Sequence, residues 1–234
     1  MRKIHVALGA LLLAGTVPGI AQAASFTADA VQTKPGQGMR YGKLFVSDTA
    51  TRFEFQQRGR PVIQIIDKKA GVTRLLFPLS KTYLEFKGDA DAGIADIVNL
   101  STPCPKPLPG KDAPKMSCTK TGDESRGAFR LEKWKVTYEK SPQSGMIWWD
   151  PERKMALRQE MPGGNVIQMN YLGEVPYSKT RNVENWEVLF MTPFGRYQRG
   201  MMMYDKEIKL PVMQNFPDGT MRELRNLEVG EQAA

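Results

Sequence analysis

The chain has 234 residues, with 33 Lys+Arg, 25 Asp+Glu, one histidine and two cysteines. Its hydrophobic content of 41% and charged content of 25% are typical of a globular protein rather than a disordered one. The single histidine, His5, lies in a segment that we expect to be removed. A mature chain without imidazole would exclude histidine-based triads, Cys–His nucleophiles and His-ligated zinc, so we predict a protein that is not an enzyme and needs no cofactor.

The N-terminus has the three parts of a secretory signal peptide. Arg2 and Lys3 supply a positive start, 6–17 is apolar, and 21–23 reads Ala-Gln-Ala, a typical cleavage site. The apolar run is shorter than the roughly 20 residues that span a bilayer, which favours a cleaved signal over an uncleaved anchor. We therefore predict a signal peptide over residues 1–23, cleaved near Ala23, and export to the periplasm.

The positive charge is modest and dispersed. Cleavage would lower the formal net charge of +8 by two, because it removes Arg2 and Lys3 and no acid. The remaining surplus suits a protein that works near anionic lipid. Nucleic-acid binding is not predicted, because the basic residues are scattered singly between acids and form no dense run.

The two cysteines enclose a proline-rich segment. In an oxidising compartment an even pair usually forms a disulfide, so we predict a bond between Cys104 and Cys118. The alternative, a redox or metal-binding pair, is disfavoured because the spacing is far from Cys-x-x-Cys and no third soft ligand is near in sequence.

Six windows of the first half alternate between apolar and polar residues, which predicts strands. These windows are 26–33, 39–47, 51–57, 61–67, 72–77 and 81–86. Short turn segments separate them, so we expect neighbouring strands to pair antiparallel. The segment from Asp89 to Leu100 has helical spacing instead, and predicts one short helix that could cover the open face of the sheet.

The second half contains an internal repeat. After a shift of 55 residues, Asp150 matches Asp205 and Lys154 matches Lys209. Each copy shows a strand, an Asp turn, a strand, a Pro-x-Gly turn and a strand. We predict two related antiparallel meanders, and they cover about 134–175 and 186–230.

Together these elements predict a single, mainly β domain over residues 24–234, with one or two short helices. A sheet of so many strands must curl or close to hide its apolar face. We therefore expect a large curved antiparallel sheet, in the form of an unclosed β-barrel, that leaves an apolar groove.

Three motifs follow one another in the first half of the chain. They are GKLFVS at 42–47, RFEF at 52–55, and the pattern I-I-D…G-V…P-x-x-K-x-Y-x-E between Ile65 and Glu85. This order resembles the LolA-like periplasmic lipoprotein carriers and their outer-membrane lipoprotein-sorting-like relatives. The resemblance implies an unclosed β-barrel whose helices form a lid over an apolar cavity for acyl chains. The chain departs from the carriers in its low helical content and in the proline-rich loop that the predicted disulfide closes.

Bulky residues on the predicted apolar faces are the candidates for lining this groove, although each one alone could equally be sheet core. The groove candidates are Phe53, Phe55, Ile63, Ile65, Leu75, Phe77, Trp148, Met155, Leu157, Met161, Ile167, Met169, Met201 and Met203. The basic candidates for its rim are Lys43, Arg52, Arg58 and Arg60. Burial of one methylene contributes about 0.8 kcal/mol, so an acyl chain could bind without catalytic groups.

The sequence thus predicts a periplasmic carrier for lipid or lipid-modified protein, near membrane-surface or outer-membrane components. One alternative is an envelope sensor that binds extended outer-membrane polypeptides at a sheet edge. A second is a Cu(I)-binding protein, because thioethers are soft ligands and Met201, Met202 and Met203 are consecutive. In a strand only Met201 and Met203 could share such a site, and we favour an apolar lining role for them.

Overall fold

The computed structural model describes residues 25–87, 102–104, 115–139 and 142–230. They form fifteen strands and, within these ranges, no helix. The predicted signal peptide and the predicted helix at 89–100 lie outside the described residues. The strands are β1 Phe26–Lys34, β2 Gly38–Val46, β3 Ala50–Gln57, β4 Arg60–Asp67, β5 Val72–Phe77, β6 Thr82–Lys87, β7 Met116–Arg126, β8 Phe129–Tyr138, β9 Ser144–Asp150, β10 Met155–Glu160, β11 Val166–Ser178, β12 Arg181–Met191, β13 Tyr197–Asp205, β14 Leu210–Asn215 and β15 Met221–Val229.

All fifteen strands belong to one antiparallel sheet. Its order is β6-β5-β4-β3-β2-β1-β15-β14-β13-β12-β11-β10-β9-β8-β7. The first and last strands of the chain therefore pair in the middle, and β6 and β7 are the two edges. The sheet does not close on itself, which confirms the predicted fold class. No helix among the described residues is long and apolar enough to cross a membrane.

The sheet is strongly curved. The Tyr177 hydroxyl of β11 donates a hydrogen bond to the Leu224 carbonyl of β15, four strand positions away. In a flat sheet those strands would lie about 19 Å apart, so this contact requires the sheet and its long β11–β12 hairpin to bend inward. Burial raises the pKa of Tyr177 to about 12, which keeps the hydroxyl protonated as a donor. We call the face that carries the resulting core, including Leu44, Phe53 and Leu224, the inner face.

Side chains of the protein itself fill the middle of this inner face. The main cluster joins the N-terminal strands to the β13–β14 turn and the β11–β12 hairpin. Its buried members are Phe26, Ala28, Ala30, Leu44, Phe53, Val183, Ile208, Leu210, Val212 and Leu224. A second cluster lies across β8 to β13, and its buried members are Leu131, Met155, Leu157, Trp186, Met202 and Tyr204.

A buried ion network ties the second cluster together. The Arg153 guanidinium donates to Glu184 through Nε and Nη2, at 2.9 and 2.8 Å, and its Nη1 donates to Asp150 Oδ2 at 2.9 Å. The Glu184 side chain is 2% exposed and also accepts a hydrogen bond from Trp186 Nε1. Tyr204 Oη donates to the Arg153 carbonyl at 2.5 Å. The network thus fixes the β9–β10 turn against β12 and β13.

The two Asp turns of the predicted repeat share their geometry. Asp150 Oδ1 accepts hydrogen bonds from the two backbone amides at positions 152 and 153, and Asp205 Oδ1 accepts from those at positions 207 and 208. Lys154 and Lys209 then have positive φ angles of 53° and 55°. We propose on these details that the meanders β8–β11 and β12–β15 are copies of one unit.

Cys104 and Cys118 form the predicted disulfide, with a Cα–Cα distance of 5.8 Å. Cys118 belongs to β7, so the bond attaches Cys104 to this edge of the sheet. A cross-link over 14 residues stabilises the folded chain by about 3 kcal/mol in the chain-entropy model.

Removal of the buried guanidinium should destabilise the fold severely. Arg153→Met leaves Glu184 buried with its charge uncompensated, which costs about 3–5 kcal/mol. Urea denaturation should show this loss, whereas Arg74→Met, which breaks the half-exposed pair with Glu85, should change the free energy of unfolding by at most about 1 kcal/mol. Equal small losses in both variants would contradict a structural role for the network.

Candidate functional site

The outer part of the inner face, on β3 to β6, carries an apolar surface. Cross-strand register sets its members on one side: Phe53 pairs with Leu44 and Gln64, Phe55 with Val62, Gln64 with Leu75, and Leu75 with Leu84. We name this set the outer apolar surface, because it lies on the outlying strands of the sheet, although it belongs to the inner face. It consists of Phe53, Phe55, Val62, Leu75, Phe77, Leu84 and Phe86. Its exposure rises toward the edge, where Leu84 is 51% and Phe86 42% exposed.

Gly42 determines how Phe53 lies in this surface. The Phe53 ring extends across β2 and stacks on Phe55 with 5.0 Å between ring centroids. A Cβ atom at position 42 would lie 2.4 Å from Phe53 Cε2 and 2.7 Å from the Glu54 carbonyl oxygen. Only glycine therefore allows this close approach of ring and strand.

A pocket of about 570 Å³ opens at one end of this surface. Gln57, Arg58, Arg60, Val62 and Phe77 line it. The guanidinium groups at positions 58 and 60 stand beside apolar side chains there, and within the described residues neither group forms a salt bridge. The pocket can therefore accept an apolar group that ends in a negative charge.

Ile63 and Ile65 do not join the other first-half candidates. They alternate with Val62 and Gln64 along β4, and their register partners are Glu54 and Arg52. Both isoleucines therefore project from the outer face of the sheet, whereas the outer apolar surface belongs to the inner face.

A second pocket lies on that outer face of β4 to β6. It measures about 610 Å³, and its lining includes Ile65, Leu76 and Tyr83. The Arg74–Glu85 ion pair, at 2.7 Å, crosses this lining. An apolar chain that entered would desolvate the pair, so this pocket is the poorer receptor for hydrocarbon despite its volume.

The rim candidates divide between the two faces in the same way. Arg58 and Arg60 line the inner pocket, as described above. Lys43 and Arg52 lie on the outer face instead, where both stand over the Phe45 ring, at 5.5 and 5.7 Å from its centroid. Arg52 also pairs with Glu54 at 2.5 Å. The structure therefore does not place Lys43 and Arg52 at the rim of the inner surface.

The second-half candidates form a separate group on β9 to β13. Met155 and Leu157 are buried in the second cluster, and Trp148 and Met169 pack against it. Trp148 lies between two cations, with Lys133 Nζ and Arg158 Cζ at 5.4 and 5.5 Å from its ring centroid. Met155 and Leu157 are therefore core residues, and Trp148 and Met169 are half-buried beside them.

The remaining candidates lie at strand ends and on β13. Met161 is 39% exposed in the β10–β11 turn, and Ile167 is half-buried opposite Phe190. Met201 and Met203 share a face, opposite to the buried Met202, as strand alternation predicts. They pair with Asn215 and Met213 across β13 and β14.

Sequence reasoning missed three members of the outer apolar surface. Val62, Leu84 and Phe86 were not among the candidates. The signal for the last two was present, because they alternate with Tyr83 and Glu85 in the window at 81–86. Their position at a sheet edge, which increases their exposure, depends on the strand order and is not visible in the sequence.

No family model matches the chain, and no curated protein matches it. Among solved structures, it is similar to a LolA superfamily protein from Nitrosomonas europaea, with 8% identity and a TM-score of 0.41 over 90% of this chain and 88% of that chain. An outer membrane lipoprotein-sorting protein domain from Vibrio parahaemolyticus matches with 11% identity and a TM-score of 0.33 over 90% and 87%. The MucA/MucB complex from Pseudomonas aeruginosa matches with 10% identity and a TM-score of 0.22 over 91% and 95%. The functional assignment below depends on this chain's own residues.

A methyl group at position 42 should displace the Phe53 ring. Gly42→Ala is expected to lower the free energy of unfolding by about 1–3 kcal/mol, the usual effect of overpacking. Gly122→Ala on β7 is the matched control, because a Cβ atom there meets no atom within 4 Å. Thermal or urea unfolding would measure both, and an unchanged Gly42→Ala protein would contradict the close approach.

Proposed function

We propose that this protein is a non-enzymatic periplasmic carrier that binds an acyl chain of a lipid or lipid-modified protein on the outer apolar surface. The observation that carries this proposal is the exposure of Leu84 and Phe86 beside Leu75 and Phe77 on one face. Contiguous exposed apolar surface on a soluble domain marks a binding site. Transfer of about a dozen methylenes from water at 0.8 kcal/mol each is sufficient for affinity.

The middle of the inner face is not part of this site. The main cluster already occupies it with buried side chains from β1, β2, β14 and β15. The acyl chain would therefore lie on β3 to β6 alone, with its polar end near Arg58 and Arg60. This location is narrower than the continuous groove that the sequence predicts.

One observation favours a second candidate function, the binding of an extended polypeptide. All six residues of the edge strand β6 are exposed. An edge strand can accept a further strand through its free backbone groups, while alternate side chains enter pockets on either face. A peptide ligand would then contact both Leu84 on the inner face and Tyr83 on the outer face.

Adjacent residues of β6 separate these possibilities. Leu84→Asn should weaken binding of a fluorescent fatty acid by about tenfold, because it removes apolar contact area from the inner face. Tyr83→Asn is the matched control on the opposite face of the same strand and should leave that affinity unchanged. Fluorescence titration of both variants and the parent protein would measure the effect.

Two results would contradict the carrier proposal. If Tyr83→Asn alone weakened binding, the outer pocket would be the site. If the parent protein bound no fatty acid but bound extended peptides, the polypeptide function would replace the lipid function.

A further inference from the structure

Five basic residues gather at one end of the inner face. Arg222 of β15 and Arg40 of β2 both pair with Gln32 of β1, so all three side chains share the inner face. Lys34 lies two residues beyond Gln32 on the same side, and Arg60 is opposite Gln57 at the same end of β3 and β4. With Arg58 in the β3–β4 turn, these residues form what we call the basic band: Lys34, Arg40, Arg58, Arg60 and Arg222. The band spans the strands β15-β1-β2-β3-β4.

The band differs from the outer face in how its charges are compensated. Several outer-face cations have a carboxylate partner: Arg225 pairs with Glu223 at 2.7 Å and Arg199 with Glu187 at 3.3 Å. Within the described part of the chain, none of the five band residues has a carboxylate within 4.0 Å. Like charges gathered without counter-charges repel one another, and an anionic ligand would relieve that repulsion.

A pocket of about 370 Å³ lies at the β15 end of the band. Lys34, Arg222, Gln32 and Gln198 line it together with the rings of Phe190 and Phe216. The Arg222 guanidinium stacks on the Phe216 ring at 5.3 Å, which fixes its orientation. Its Nε is buried and has no hydrogen-bond acceptor in the described structure.

One carboxylate, Asp218, also lines this pocket. Its Oδ1 accepts a hydrogen bond from the Thr220 amide at 2.9 Å, which holds the β14–β15 turn and lowers the pKa of Asp218. Asp218 therefore stays negative and offsets part of the charge near Lys34. Four further cations of the band remain without such compensation.

We propose that the basic band binds the phosphate head group of an anionic amphiphile whose acyl chain lies on the outer apolar surface. The inference rests on the proposed function and adds the charge of the ligand to it. Band and surface are continuous, because Arg58 and Arg60 line the same inner pocket as Val62 and Phe77. Arginine suits this role, since its guanidinium donates two parallel hydrogen bonds to phosphate oxygens.

Two double variants with equal change in charge test the band. Arg58→Gln/Arg60→Gln removes the two band cations that line the inner pocket with Val62 and Phe77, and Arg199→Gln/Arg225→Gln removes two outer-face cations. Calorimetric titration with monomeric dihexanoylphosphatidylglycerol should show about tenfold weaker binding for the band variant and parent-like binding for the control. Dihexanoylphosphatidylcholine, which has the same chains and no net charge, should bind all three proteins alike. Thermal unfolding of each variant verifies that it is folded.

The outcomes separate this inference from the function on which it rests. Equal weakening of phosphatidylglycerol binding in both double variants would overturn the band as a site, because net charge alone would then explain the effect. Inorganic phosphate that bound as tightly as the lipid, and lost affinity in the band variant, would overturn the lipid source in favour of a free anion. Absence of binding for both lipids in the parent protein would instead refute the carrier proposal.

Discussion

The curvature of one open sheet is the constraint on which the rest of this structure depends. Fifteen strands present far more apolar area than a flat sheet could hide, and the edges β6 and β7 do not meet. The sheet bends until the β11–β12 hairpin reaches β15, and the Tyr177 hydroxyl bonds to the Leu224 carbonyl. This bend buries the middle of the inner face and leaves its outer strands, β3 to β6, with exposed apolar side chains. The candidate site is therefore the part of the inner face that curvature does not cover.

The two faces of the sheet differ in how far carboxylates compensate their positive charges. On the outer face, several cations are paired with carboxylates, as Arg52 is with Glu54 and Arg225 with Glu223. On the inner face, charge is either fully compensated and buried, as in the Arg153 network, or gathered without carboxylate partners at one end. Surface pairs contribute little to stability, so this asymmetry matters for recognition more than for folding. The inner face therefore has an apolar surface with a positively charged end.

Much of this architecture could be predicted from local patterns in the sequence. Alternation predicted all six N-terminal strands, and the repeat predicted the matched turns at Asp150 and Asp205. The candidate site was predicted less well, because alternation shows that Ile63 and Phe53 lie on opposite sides only when register is known. Arg222 and Lys34 are far apart in the chain and meet because β1 pairs with β15. Such long-range pairing is a property of the whole sheet, which no window of the sequence contains.

The central claim is that the outer apolar surface holds a hydrocarbon chain in the cell. Native mass spectrometry of the protein purified from a bacterial periplasm, followed by organic extraction of the bound material, tests it most directly. The account predicts a folded protein that carries a discrete lipid mass, recovered in the extract as an acylated and negatively charged molecule. Detection of the protein only at the mass of its polypeptide chain, with no extractable lipid, would contradict this claim.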